Sequence, residues 1–215
     1  MIFNAVDKHL YTIIILHGMF QTNKSLFSTA NAIQDYNKNI KIILPNAPKR
    51  TISWDNIREN NVSSWYDYYT RRDGEMKHDE INLYHFKEQT NRIYNIIDQE
   101  RKIISNKKII IAGISQGGTL AFNVALNCKY LLGGMIGIHT ILMDNIISQQ
   151  NTQKIPIYLF SGENDSIYNI KLQQNSIYPS TKITNWFIEK NLEHCQKSNN
   201  EIEFILNSIS DIYGK

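Results

Sequence analysis

Cysteine is scarce in this 215-residue chain, with Cys128 and Cys195 its only two. Two thiols cannot make a disulfide-rich scaffold, and they lack the spacing of a zinc site. No Pro/Gly/Ser-rich linker, internal repeat or low-complexity block divides the sequence, so a single domain spanning residues 1–215 is expected. Long hydrophobic runs are also missing. The longest, Leu131 to Met143, is interrupted by His139 and too short to span a bilayer. Charge of one sign is lacking too: 23 Lys and Arg against 20 Asp and Glu leave a net +3 with no dense basic block. Composition therefore supports neither nucleic acid nor an anionic membrane as partner. Met1 to Asp7 has no basic segment leading into an apolar one, and neither end carries a lipidation motif. The expectation is a cytoplasmic protein without stable membrane insertion.

The chain has what a packed core needs. With 42% hydrophobic and 20% charged residues it is too apolar for disorder. At this length it can bury about 70% of its unfolded surface. Short β-branched runs at Thr12–Leu16, Ile40–Leu44, Lys108–Ala112, Gly134–Ile138, Ile155–Phe160 and Ile183–Ile188 read as strands, with Ile2–Val6 a weaker seventh. Several are continuous, such as Ile13-Ile14-Ile15-Leu16, which suits strands covered on both faces of a parallel sheet. Between them lie helical periods: Leu26, Ala30 and Ile33; then Leu83, Phe86, Ile93 and Ile97, with Asp79 and Glu80 before and Arg101 and Lys102 after, as the helix dipole favours. A C-terminal stripe runs through Ile202, Ile205, Leu206, Ile209 and Ile212, preceded by the capping box Ser198-Asn199-Asn200-Glu201. Strands alternating with helices predict an α/β fold with a mostly parallel sheet of about seven strands. Residues 45–80 fit neither period. They carry Trp54, Trp65, Tyr66, Tyr68 and Tyr69, and read as a structured loop excursion near a functional site.

The chemistry centres on Gly113-Ile114-Ser115-Gln116-Gly117, a G-x-S-x-G sequence between the apolar run Ile109–Ala112 and the helix-compatible Thr119–Cys128. That context is a nucleophile elbow. A strained turn lifts a serine Oγ above the sheet, and small residues two before and two after let strand and helix approach. Serine is a weak nucleophile until a base takes its proton, and the base needs an acid to fix its tautomer. In this fold the order is Ser, acid, His. Of the two histidines after Ser115, His139 comes too early, whereas His194 follows the strand Ile183–Ile188. The acid belongs after Ile155–Phe160, where Asp165 is the choice over Glu163 and Asp144. An oxyanion hole needs two backbone donors. The N–H of Gln116 is one, and the turn His17-Gly18-Met19 offers that of Met19. His17 itself reads as a turn-stabilising residue.

Leu16-His17-Gly18, Trp65-Tyr66-Asp67, Gly113 to Gly118, Gly162-Glu163-Asn164-Asp165 and Glu193-His194 stand in the order of the phospholipase/carboxylesterase family of α/β-hydrolases. From Tyr11 to the last helix the sequence resembles that family, which includes the acyl-protein thioesterases. The resemblance implies a cofactor-independent serine hydrolase that cleaves carboxylic esters or acyl thioesters through an acyl-enzyme, acting as monomer or homodimer on a small-molecule, lipid or acylated-protein substrate. It implies Ser115 as nucleophile, Asp165 as orienting acid, His194 as base, and Met19 and Gln116 as the oxyanion hole. Met19-Phe20-Gln21-Thr22, His139-Thr140 and Asn191-Leu192-Glu193 depart from the family pattern and alter the pocket wall. Phe20 and His139, within these departures, and Trp65, an aromatic that reads as lining an acyl groove, are candidate substrate-binding residues. Alternative readings are a lysophospholipid esterase, a small peptidase, or a catalytically silent binding protein with the same fold. Cys195, next to His194, reads as an incidental thiol and Cys128 as core.

Overall fold

The computed structural model describes residues 1–53, 58–69, 81–143, 155–178 and 181–214. Trp54, Asp79, Glu80 and Asp144 lie outside them. Strands β1 (Ile2–Phe3), β2 (Tyr11–Leu16), β3 (Ile40–Ile43), β6 (Ile109–Ile114), β7 (Gly134–Ile138), β8 (Ile157–Gly162) and β9 (Asn185–Glu189) form one sheet in the order β1-β3-β2-β6-β7-β8-β9. Only β1 runs antiparallel to its neighbour. All seven overlap the runs expected from sequence, β1 taking only the first two residues of Ile2–Val6.

The continuous apolar runs are explained by burial on both faces. Along β2, Ile14 and Leu16 join one core while Ile13 and Ile15 join the other; along β6, Ile109 and Ile111 oppose Ile110 and Ala112. This is the two-residue alternation of a strand serving two hydrophobic layers. Helices α2 (Leu83–Glu100), α3 (Gln116–Asn127) and α4 (Ile170–Ile177) cover the first face through Phe86, Ile93, Ile97, Leu120, Phe122 and Ile177. Helices α1 (Phe27–Tyr36) and α5 (Asn199–Tyr213) cover the second through Ala30, Ile33, Ile205 and Ile209. Leu83 begins α2 but points outward, 60% exposed, so the core stripe of that helix starts at Phe86. At the head of α5 the Ser198 hydroxyl accepts from the Glu201 N–H at 3.0 Å, a cap worth about 1 kcal/mol.

The excursion between β3 and α2 holds a small antiparallel pair, β4 (Lys49–Ile52) and β5 (Glu59–Ser63), followed by Trp65 and Tyr66, both fully buried. Neither the hairpin nor α4 is evident in the sequence. β4 and β5 are largely polar, and α4 is a two-turn helix announced only by the cap Asn169, which accepts from the Leu172 N–H at 2.9 Å.

Candidate active site

The site forms where β2, β6, β7, β8 and β9 end at one edge of the parallel sheet, the usual ligand position in such folds. Ser115 follows β6 directly and has φ 51° and ψ −122°, a left-handed conformation that a non-glycine residue rarely adopts. Hydrogen bonds on either side hold the strain. The Ser115 N–H donates to the Ile138 carbonyl at 2.9 Å, and the Thr140 hydroxyl donates to the Ser115 carbonyl at 3.2 Å. A methyl group at Gly117 would stand 2.4 Å from the His17 carbonyl oxygen. Glycine there is what lets α3 start against the end of β2.

Ser115, His194 and Asp165 stand in one hydrogen-bonded row. The Ser115 Oγ lies 2.9 Å from His194 Nε2, and His194 Nδ1 lies 2.8 Å from Asp165 Oδ2. Asp165 is almost wholly buried, and its other oxygen accepts from the Ile167 and Tyr168 N–H groups at 3.0 and 2.7 Å. Burial alone would push this carboxyl up. Hydrogen bonds from His139 and His194, the imidazole charge and the Tyr168 N–H outweigh it and hold the group down at about 2. A carboxylate only accepts, so His194 presents Nδ1–H to it, and the neutral form of the ring then has its lone pair on Nε2, facing Ser115. The Tyr168 ring stands edge-on against His194 at 5.2 Å. Glu163, the neighbouring acid, is exposed and turned outward to the Asn191 N–H.

A cavity of about 240 Å³ opens onto Ser115, lined chiefly by Met19, Phe20, Tyr68, Ile167, Tyr168 and Cys195. The N–H of Gln116 opens α3, where helix geometry supplies no acceptor, and no acceptor for the Met19 N–H is found among the described residues. Both residues line the cavity beside Ser115. The Gln116 side chain ties the elbow to the excursion, accepting from the Trp65 N–H at 2.9 Å and donating to the Tyr66 carbonyl at 2.8 Å. His17 is fully buried. Its Nε2 accepts from the Ala47 N–H at 3.0 Å and its Nδ1 donates to the Gly18 carbonyl at 2.8 Å. Burial keeps that ring's pKa below its ordinary value, so it is a neutral turn-stabilising group.

Of the candidate substrate contacts, Phe20 stands at the cavity rim, half exposed, at φ 65°. Trp65 and His139 require correction. Both are completely buried and absent from the cavity lining. Trp65 uses its indole N–H on the His17 carbonyl at 2.7 Å, and His139 stands behind the acid, its Nδ1 3.2 Å from Asp165 Oδ2. Sequence reasoning missed Tyr68, Ile167, Tyr168 and Cys195 as lining. Tyr68 carried a signal, as one of the clustered aromatics, and Cys195 another, beside His194; Ile167 and Tyr168 sit in a loop without motif. Burial, with Asp165 and Glu201 nearby, pushes the Cys195 thiol up to about 12. It is therefore no thiolate at neutral pH.

The sequence model described as Phospholipase/Carboxylesterase matches residues 1–212. The chain belongs to the phospholipase/carboxylesterase family. Among curated relatives, acyl-protein thioesterase 1 of Yarrowia lipolytica is 28% identical over 88% of this chain and 87% of that one. Its counterpart from Gibberella zeae is 26% identical over 78% and 74%. Among solved structures, SOBER1 of Arabidopsis thaliana superposes with a TM-score of 0.80 at 22% identity, covering 95% of this chain and 99% of that one. Acyl-protein thioesterase 2 of Zea mays gives 0.80 at 19%, covering 100% and 98%. The fold is that of the α/β-hydrolases. No helix among the described residues is long and apolar enough to cross a membrane.

Proposed function

We propose that this protein is a serine hydrolase that cleaves carboxylic esters or acyl thioesters, the whole chain acting as one catalytic domain. The observation that carries the reading is the His194 imidazole standing 2.9 Å from the Ser115 hydroxyl and 2.8 Å from the Asp165 carboxylate. Membership of the family and the thioesterase relatives support it. Ser115 is the nucleophile, His194 the base and Asp165 the acid that fixes the imidazole tautomer. Oγ attacks the acyl carbonyl carbon as Nε2 takes its proton, and the new oxyanion lies between the N–H groups of Met19 and Gln116. His194 then returns the proton to the departing alkoxide or thiolate, leaving the acyl group on Ser115. A water, deprotonated by the same nitrogen, releases the carboxylic acid. The apolar cavity beside Ser115 suits an acyl chain, with Phe20 at its mouth.

The test is turnover on p-nitrophenyl esters of increasing chain length, acyl thioesters and peptide amides, for the wild type and Ser115→Ala. Hydrolysis of esters and thioesters, abolished by the substitution, is the expected result. Turnover that survives Ser115→Ala, or is confined to amides, contradicts the reading.

A further inference from the structure

Behind the acid stands a second imidazole. His139 ends β7, has no exposed surface and adopts φ 47°. Its Nδ1 lies 3.2 Å from the same Asp165 oxygen that receives His194. The neighbouring residues tie this short segment to the nucleophile, since the Ile138 carbonyl accepts from the Ser115 N–H and the Thr140 hydroxyl donates to the Ser115 carbonyl. Residues 138–140 thus hold the elbow with one hand and the acid with the other.

We propose that His139 is a positioning residue for hydrolysis at Ser115, its Nδ1–H clamping the Asp165 carboxylate so that His194 stays aligned with the nucleophile. The inference rests on the serine-hydrolase reading above.

Two groups compete for His139 Nδ1: the Asp165 carboxylate at 3.2 Å and the Gly162 N–H at 3.3 Å. The first needs a proton on that nitrogen and the second a lone pair. A hydrogen bond to an ionised carboxylate is roughly twice as strong as one between neutral groups, so the proton goes to Nδ1. Asp165 then has all its principal acceptor directions filled, two backbone N–H groups on one oxygen and two imidazoles on the other. A carboxylate held at four points cannot rotate away from His194. The ring of His139 is itself fixed edge-on between Phe160, at 5.9 Å, and His194, at 5.7 Å. The charged or titratable groups facing it are Asp165 on the loop after β8, His194 on the loop after β9, and the buried Glu201 carboxyl at the head of α5.

The donated hydrogen bond also draws charge density from Asp165 that would otherwise stabilise a protonated His194. Removing the donor therefore moves the acid limb of the kcat/KM profile to higher pH, an effect that packing alone would not produce.

The experiment compares His139→Asn, whose side-chain amide keeps an N–H near the Nδ1 position, with His139→Leu, which fills the space without a donor. Glu201 is present in both and cancels. His139→Leu is expected to lower kcat about tenfold at unchanged KM and to raise the acid limb by about half a pH unit. His139→Asn should stay within about threefold of wild type. Equal losses in the two variants with an unmoved limb overturn the proposal, as does a His139→Leu enzyme indistinguishable from wild type. A readout independent of both folding variants and turnover is the imidazole 15N spectrum of the wild-type protein. A proton on His139 Nδ1 is expected, and a proton confined to Nε2 overturns the clamp even if Ser115 proves to be the nucleophile. Absence of ester turnover with that proton in place would instead sink the serine-hydrolase reading, and the positioning role with it.

Discussion

Replacing Asp165 with asparagine tests the relay more sharply than deleting it, because the structure dictates how the amide must sit. Asp165 Oδ1 accepts from the Ile167 and Tyr168 N–H groups at 3.0 and 2.7 Å. An amide nitrogen placed there would face two donors, so the carbonyl oxygen of Asp165→Asn takes that side. Its NH₂ group then points at the two imidazoles, where the native carboxylate accepts from His194 at 2.8 Å. His194 must answer with a lone pair on Nδ1, which moves its proton to Nε2, the nitrogen facing Ser115 at 2.9 Å. A protonated Nε2 cannot take the serine proton. The expected loss in kcat is about 10⁴-fold, the size that wrong-tautomer trapping has in serine proteases, or about 5 kcal/mol of transition-state stabilisation. Both backbone donors keep their acceptor, so the variant should fold. The assay is steady-state hydrolysis of p-nitrophenyl acetate alongside thermal unfolding. A folded Asp165→Asn protein retaining more than about a tenth of wild-type kcat would refute the tautomer argument.

Two further outcomes follow from the same geometry. Gly117→Ala puts a methyl carbon 2.4 Å from the His17 oxygen and 2.5 Å from that of Leu16; α3 must back away from β2, carrying Ser115 with it. Unfolding free energy should drop by about 3 kcal/mol and turnover by more than tenfold; unchanged urea midpoint and activity would contradict the close approach. The Asp165 carboxyl is lowered from 3.8 to about 2 in the folded chain. A depressed carboxyl stabilises the fold above its unfolded pKa, so about 2 kcal/mol is present at neutral pH and lost as pH falls from about 5 to 2. Urea unfolding of wild type against Asp165→Asn should show the wild type losing that much more stability between pH 7 and pH 2; parallel curves would exclude the shift.

The layered fold was legible because its strands are runs of isoleucine with turn residues between them, and burial on both faces demands continuous apolar stretches such as Ile109-Ile110-Ile111. The sequence order of Ser115, Asp165 and His194 was readable for a related reason: in a parallel sheet every strand delivers its loop to the same edge, so side chains distant in the chain converge. The elements it hid are those whose identity depends on tertiary contact. The β4–β5 pair is polar, and its neighbours Trp65 and Tyr66 are anchored by Gln116, a partner about fifty residues away. His139 was misassigned to the pocket wall because its place at the end of β7 says which edge it occupies and not which way its ring turns. Positive φ turns the residue inward toward Asp165. Tyr168 and Ile167 line the cavity because the Asp165 carboxylate captures their own N–H groups, a local turn that no periodicity announces.

The most direct measurement is covalent labelling of the purified protein with a fluorophosphonate, mapped by tandem mass spectrometry in the wild type, Ser115→Ala and His194→Ala. One adduct per chain on Ser115, absent from Ser115→Ala and strongly slowed in His194→Ala, is the predicted result. Labelling that leaves Ser115 unmodified, or proceeds equally in all three proteins, would contradict the relay of Ser115, His194 and Asp165.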